Sequence, residues 1–125
     1  MAYASWCPHC NKMKLEVMTD SLVADFYNKN FICAWQDMEV GEGTAIKKKF
    51  EIKSYPTFLF LNPQGEVIYR STSELNAGDF IKEGKNALDP IQQFPYLKAQ
   101  FLSDISNSEK CLAYVSALRK AGLNP

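Results

Sequence analysis

The chain has 125 residues, 46% of them hydrophobic and 22% charged, the balance of one globular domain with no room for a second full one. Fourteen basic residues offset fourteen acidic ones, so no summed field attracts nucleic acid or an anionic bilayer. No apolar run approaches the roughly 18 to 20 residues of a membrane span, and the first ten residues lack the layout of a signal peptide.

Met1 is followed almost at once by Ala4-Ser5-Trp6-Cys7-Pro8-His9-Cys10, which holds two of the four cysteines and the only histidine. Cys10, Met13 and Val17, then Leu22, Val23, Phe26 and Tyr27, predict a long helix from about Cys7 to Asn28, kinked or broken near Asp20. Phe31 to Met38 is aromatic and β-branched on both parities, the pattern of a strand covered on both faces. A short helix follows from Glu42-Gly43-Thr44 to about Phe50, with Lys47, Lys48 and Lys49 on a solvated face. Phe58–Leu61, the turn-rich Asn62-Pro63-Gln64-Gly65 and Glu66–Arg70 form a hairpin signal. Ala77 to Leu88 is a further helix, with Phe80, Ile81 and Leu88 expected inside. Pro90 and Pro95 break it from a helical hairpin over Tyr96–Ile105 and Glu109–Ala121, capped by Ser106-Asn107-Ser108 and stopped by Gly122.

The Cys-x-x-Cys pair carries the chemistry. A thiol attacks as thiolate, and a cysteine at a helix N-terminus gains from free amides and the positive end of the helix dipole. Cys7 has that place. Pro8 fits the first turn, where its missing N–H has no intrahelical partner. His9 brings a cationic or hydrogen-bonding ring near the sulfur, which favours the reduced thiolate over the disulfide. Cys10, one turn on, is placed to resolve a mixed disulfide at Cys7. Potentials of such motifs run from about −270 to about −120 mV, and proline followed by histidine points to the oxidising part.

Other readings of the pair need residues that are absent or leave its neighbours unexplained. Zinc requires two further ligands, and only Cys33, Cys111 and His9 remain, with no second paired motif. Haem attachment requires histidine directly after Cys10, where Asn11 stands. Two inert buried thiols would leave Trp6, Pro8 and His9 without a role. No metal or cofactor is expected. Cys33 and Cys111 themselves read as buried apolar thiols, and Asp37 as a solvated strand-end carboxylate.

The motif opening a helix, the strand ending in Asp37, and Ser54-Tyr55-Pro56-Thr57-Phe58-Leu59-Phe60-Leu61 leading into a hairpin resemble, in that order, the thioredoxin superfamily. The wording is similar to bacterial thioredoxin-like domains, and the inner dipeptide to that of periplasmic disulfide oxidases. The resemblance covers about Tyr3 to Leu88. It implies an α/β fold, a thioredoxin-like three-layer sandwich over residues 1–89, with residues 90–125 as a helical extension. It also implies a cis bond before Pro56, facing the dithiol, with Tyr55 and Thr57 beside it for an extended substrate segment and Trp6 covering the cysteines. Two departures stand out. The family's central strand is reduced to Met1–Ser5, so its first strand and helix are missing and the sheet has an open edge. The family's buried acid, six residues before the first cysteine, is replaced by Met1, leaving no visible base for Cys10.

The expected function is thiol-disulfide exchange with protein thiols and disulfides, Cys7 attacking and Cys10 resolving, with an upstream redox partner. The alternative is a non-enzymatic interaction or redox-sensing module of a larger protein. Neither nucleic acid nor direct membrane insertion is expected. The open edge implies either a homodimer or continuation into a longer chain, and the resemblance favours a periplasmic or otherwise exported location.

Overall fold

A computed structural model describes residues 1–124. The element order is β1 (Ala2–Tyr3), α1 (Pro8–Lys12), a π-helical turn (Met13–Val17), α2 (Ser21–Asn30), β2 (Gln36–Asp37), α3 (Gly43–Lys49), β3 (Thr57–Leu61), β4 (Val67–Thr72), α4 (Ala77–Leu88), a 3-10 turn (Pro90–Gln92), α5 (Phe94–Ser103) and α6 (Ser108–Lys120). The four strands form one mixed sheet in the order β2-β1-β3-β4. β1 runs parallel to β2 and antiparallel to β3, and β3 pairs antiparallel with β4, Thr57 lying opposite Thr72.

Strand alternation puts helices on both faces of the sheet. Phe58 and Phe60 of β3 point into a core with Met13, Val17, Val23, Tyr27, Tyr69 and Phe80, which seats the N-terminal helices and α4 on one face. Leu59, of opposite parity, packs with Ala2, Met38, Ile46, Phe50 and Ile52 around α3 on the other face. This is the expected three-layer α/β arrangement, with α5 and α6 packed against each other through stacked Phe101 and Tyr114, centroids 5.6 Å apart.

The long N-terminal helix breaks where the sequence placed the break, because the Asp20 carboxylate accepts from the amides of Leu22 and Val23 and restarts the helix as α2. A π turn precedes the break, with the Met18 amide donating to Met13 O at 2.8 Å. α4 has the predicted bounds, yet of its three expected core residues only Phe80 is fully buried; Leu88 is exposed. The buried stripe runs instead through Glu83, Gly84 and Ala87. Gly84 is where the helices touch: a Cβ there would collide with the Phe26 ring and lie 3.0 Å from Tyr27 Cζ.

Phe31–Met38 departs most from expectation. Only Gln36 and Asp37 form a strand, and Ile32 and Trp35 are exposed rather than covered. β1 offers few partner residues, so pairing reaches only from Ala34 O, which accepts from the Met1 amine, to the Met38 amide, which donates to Tyr3 O at 2.8 Å. Cys33 is exposed and Cys111 half-buried, so neither is the core thiol expected of it; one lies on the unpaired stretch before β2 and the other on α6, which has no fully buried residue.

Candidate active site

β1 ends at Tyr3, and a tight turn, closed by the Cys7 amide donating to Ala4 O at 3.1 Å, delivers Cys7 to the N-cap of α1. Pro8 fills the first helical position. The Cys7 sulfur accepts from the Cys10 amide at 3.2 Å, one of the helix-start donors that have no intrahelical acceptor. Both cysteines are buried, Cys10 completely and Cys7 to 3% exposure, in a small cluster with Ala4 against which Tyr3 and Tyr55 pack. Burial, reinforced by its hydrogen bond with Cys7, pushes the Cys10 thiol up to about 12. Cys10 therefore stays protonated at neutral pH unless a base takes its proton.

Two ionic clusters flank the pair. On one side His9 Nδ1 lies 2.7 Å from Glu74 Oε2, and Lys12 Nζ donates to Glu74 Oε1 at 2.6 Å. Lys12 first, then His9, holds the Glu74 carboxyl below the usual range. His9, Glu74, Ser73 and Tyr55 line one shallow depression. On the other side Tyr55 Oη donates to Glu39 Oε1 at 3.1 Å, and Lys47 Nζ to the same oxygen at 3.3 Å. The exposed Trp6 ring meets Tyr55 edge-on, centroids 6.0 Å apart.

The Tyr55–Pro56 peptide bond is cis. Pro56 is buried, and its carbonyl accepts from the Ser73 amide at 3.1 Å. Among the described residues, no hydrogen bond engages the Tyr55 backbone. Thr57 does not fit the substrate contact expected of it: it has no exposed surface, and its hydroxyl donates to Ser54 O at 2.7 Å, bracing the loop from within. The structure thus gathers Trp6, Cys7, Pro8, His9, Cys10 and Tyr55 at one end of the sheet and turns Thr57 inward. Asp37 lies outside this group, with its carboxylate accepting from the Glu39 amide at 2.9 Å. Among the described residues no three His, Cys, Asp or Glu side chains are placed to hold a metal ion, and no helix is long and apolar enough to cross a membrane.

Glu39 and Glu74 were not visible as site residues in the sequence. Thr72 comes opposite Thr57 only through the bulge between Phe60 and Leu61, which brings the residues just after β4 beside Pro56 and which the turn-rich Asn62–Gly65 does not announce.

With this geometry in place, the family model of the thioredoxin-like domain matches residues 1–88. The chain belongs to that family. Among solved structures, a Bacteroides thetaiotaomicron protein described as a putative disulphide-isomerase superposes with a TM-score of 0.63 at 39% identity, over 70% of this chain and 73% of that one. A thioredoxin from Thermus thermophilus superposes equally well, TM-score 0.63, at 24% identity over 70% of this chain and 69% of its own, a likeness of fold. Two further relatives are a protein disulfide-isomerase of Zea mays, 28% identical over 70% of this chain, and the thiol:disulfide interchange protein DsbD of Pseudoalteromonas atlantica, 29% identical over 69%. The matched region spans only 17% and 15% of those two proteins.

Proposed function

We propose that this thioredoxin-like domain is a thiol-disulfide oxidoreductase that exchanges a Cys7–Cys10 dithiol or disulfide with protein substrates, towards the oxidising or isomerising end of the range. The observation that carries the reading is the asymmetry of the pair: Cys7 caps a helix and accepts the Cys10 amide, while the Cys10 thiol is buried and pushed up to about 12. In the reducing direction Cys7 thiolate attacks a substrate disulfide, forming a mixed disulfide and releasing one substrate thiolate. Cys10 then loses its proton and attacks the Cys7 sulfur, which leaves an internal disulfide and a second substrate thiolate. Oxidation of a substrate dithiol is the reverse, and another thiol-disulfide couple restores the starting state.

Substrate would dock as an extended segment against the unengaged Tyr55 backbone at Pro56, over the aromatic surface of Trp6 and the Tyr55 ring. Pro8 and His9 set the potential. The motif wording and the relatives named for isomerase and interchange activities support this reading. The test compares wild type with Cys7→Ser for reduction of insulin and for oxidation of a reduced, scrambled substrate. Wild type turns over and Cys7→Ser does not; equal rates for the two would remove the reading.

A further inference from the structure

His9, the only histidine of the chain, is not engaged with the Cys7 sulfur, whose donor is the Cys10 amide. Its Nδ1 is taken by Glu74, and the other Glu74 oxygen by Lys12. Glu74 comes from the loop after β4, 65 positions along the chain, so this is a tertiary contact and not a helical neighbour pair. The backbone on both sides of Glu74 is fastened. Ser73, at a φ of 84° that is uncommon for a residue with a side chain, donates its amide to Pro56 O at 3.1 Å. The Leu75 amide meets the Met13 sulfur at 3.4 Å, under the helix that carries Cys10. A chance surface ion pair has no such anchorage.

We propose that Glu74 is a positioning residue for the exchange reaction: by holding the His9 ring and Lys12 it withholds positive charge from Cys7 and keeps the dithiol less oxidising than Pro8-His9 alone would make it. The proposal rests on the thiol-disulfide reading above. Reduction places a thiolate at Cys7 that the disulfide lacks, so each nearby positive charge favours the reduced form and each negative charge opposes it. Glu74 opposes it through its own charge and by occupying the Lys12 ammonium and the His9 imidazole, whose donors would otherwise be free to turn to the sulfur. The charged and titratable groups around His9 are Lys12 on its own helix, Glu74 from the β4 side, and Tyr55 across the depression. Glu39 and Lys47 lie beyond Tyr55 and pair with each other.

The test equilibrates wild type, Glu74→Gln, His9→Ala and the double variant with glutathione redox buffers at one pH, and counts dithiol by mass after alkylation. Glu74→Gln shifts the exchange constant about threefold to fivefold towards the dithiol, the scale of a partly exposed ion pair, and speeds alkylation of Cys7. In the His9→Ala background the same change gives a clearly smaller shift, the remainder coming from Lys12 and the carboxylate's own charge, because paired residues are not additive. No shift, a shift towards the disulfide, or an equal shift in both backgrounds overturns the positioning role. A wild type that forms no Cys7–Cys10 disulfide in any buffer is a different result, which removes the oxidoreductase reading and this inference with it.

Discussion

The amide of Cys10 donates to the Cys7 sulfur at 3.2 Å while the Cys10 side chain has no exposed surface. One residue therefore steadies negative charge on its partner and is itself kept from ionising, since burial is the larger cause of its raised pKa and the bond to Cys7 the next. Attack and resolution are divided between the cysteines by the helix N-cap that Cys7 holds and by the complete burial of Cys10.

That division predicts selective labelling. In the reduced protein near neutral pH, iodoacetamide modifies Cys7 and the exposed Cys33 well before Cys10, read by peptide mass over time. Cys10→Ser leaves attack intact and removes resolution, so it accumulates a mixed disulfide with a model substrate that added thiol reverses. Labelling of Cys10 first would show that the roles are exchanged.

Much of the site was legible because its rules are local. A cysteine before proline at a helix start, an Asp20 cap and a turn-rich hairpin each act within a few residues. The acids were not legible. Glu39 is exposed and Glu74 half-buried; neither belongs to a periodic pattern, and both acquire meaning only when hairpin register and helix packing bring them to Tyr55 and His9. The same limit explains the errors of burial. Phe31–Trp35 has the composition of an inner strand but follows α2 to the sheet's edge, where β1 is too short to pair with it. Leu88 was expected inside because helical period fixes which residues share a face, whereas packing at Gly84 decides which face turns inward.

Raising pH should destabilise the reduced fold from about pH 9 upward. The Cys10 thiol titrates at about 12 in the fold against 9.0 for the free group. Between those values the unfolded chain has released the proton and the native one has not, so the slope of stability with pH is negative. The contribution is fully present below about 9 and lost by about 12. Tyr27, pushed up by burial in the same direction, adds to the decline. Urea midpoints of wild type and Cys10→Ala across this range isolate the cysteine: the variant declines less steeply. Parallel curves would exclude Cys10 as a source.

Gly84→Ala sets helix propensity against packing. Alanine in place of glycine favours a helix by up to about 1 kcal/mol, but the new methyl group meets the Phe26 ring and the Tyr27 ring. Tyr27 cannot give way cheaply, because it stacks on Phe80 with centroids 4.3 Å apart and donates its hydroxyl to Phe80 O at 2.6 Å. Overpacking of about 1 to 3 kcal/mol prevails. The denaturation midpoint falls with little change in slope; a rise would mean that α2 and α4 separate freely.

A polar cluster ties the C-terminal hairpin to β4 and α4. Lys120 Nζ on α6 lies 2.7 Å from Glu83 Oε1 and donates to Tyr69 Oη at 2.8 Å, while Tyr69 donates to Glu83 Oε2 at 2.7 Å. Burial pulls the Lys120 pKa down, and the bonds to Glu83 and Tyr69 more than offset it, leaving it raised. The neighbouring contact runs the same way, with the Lys120 carbonyl accepting from the Thr72 hydroxyl at 3.4 Å. Lys120→Met leaves the nearly buried Glu83 carboxylate with Tyr69 as its remaining strong donor, at a cost of about 1 kcal/mol given that the lysine is half-exposed. The loss is regional as well as global. Hydrogen exchange speeds up first in α5 and α6, while amides of β3 and α4 keep their protection until global unfolding. Glu83→Gln combined with Lys120→Met costs less than the sum of the single changes, because both break the same pair. Unaltered α6 protection in Lys120→Met would show that this cluster is not what holds the hairpin against the sheet.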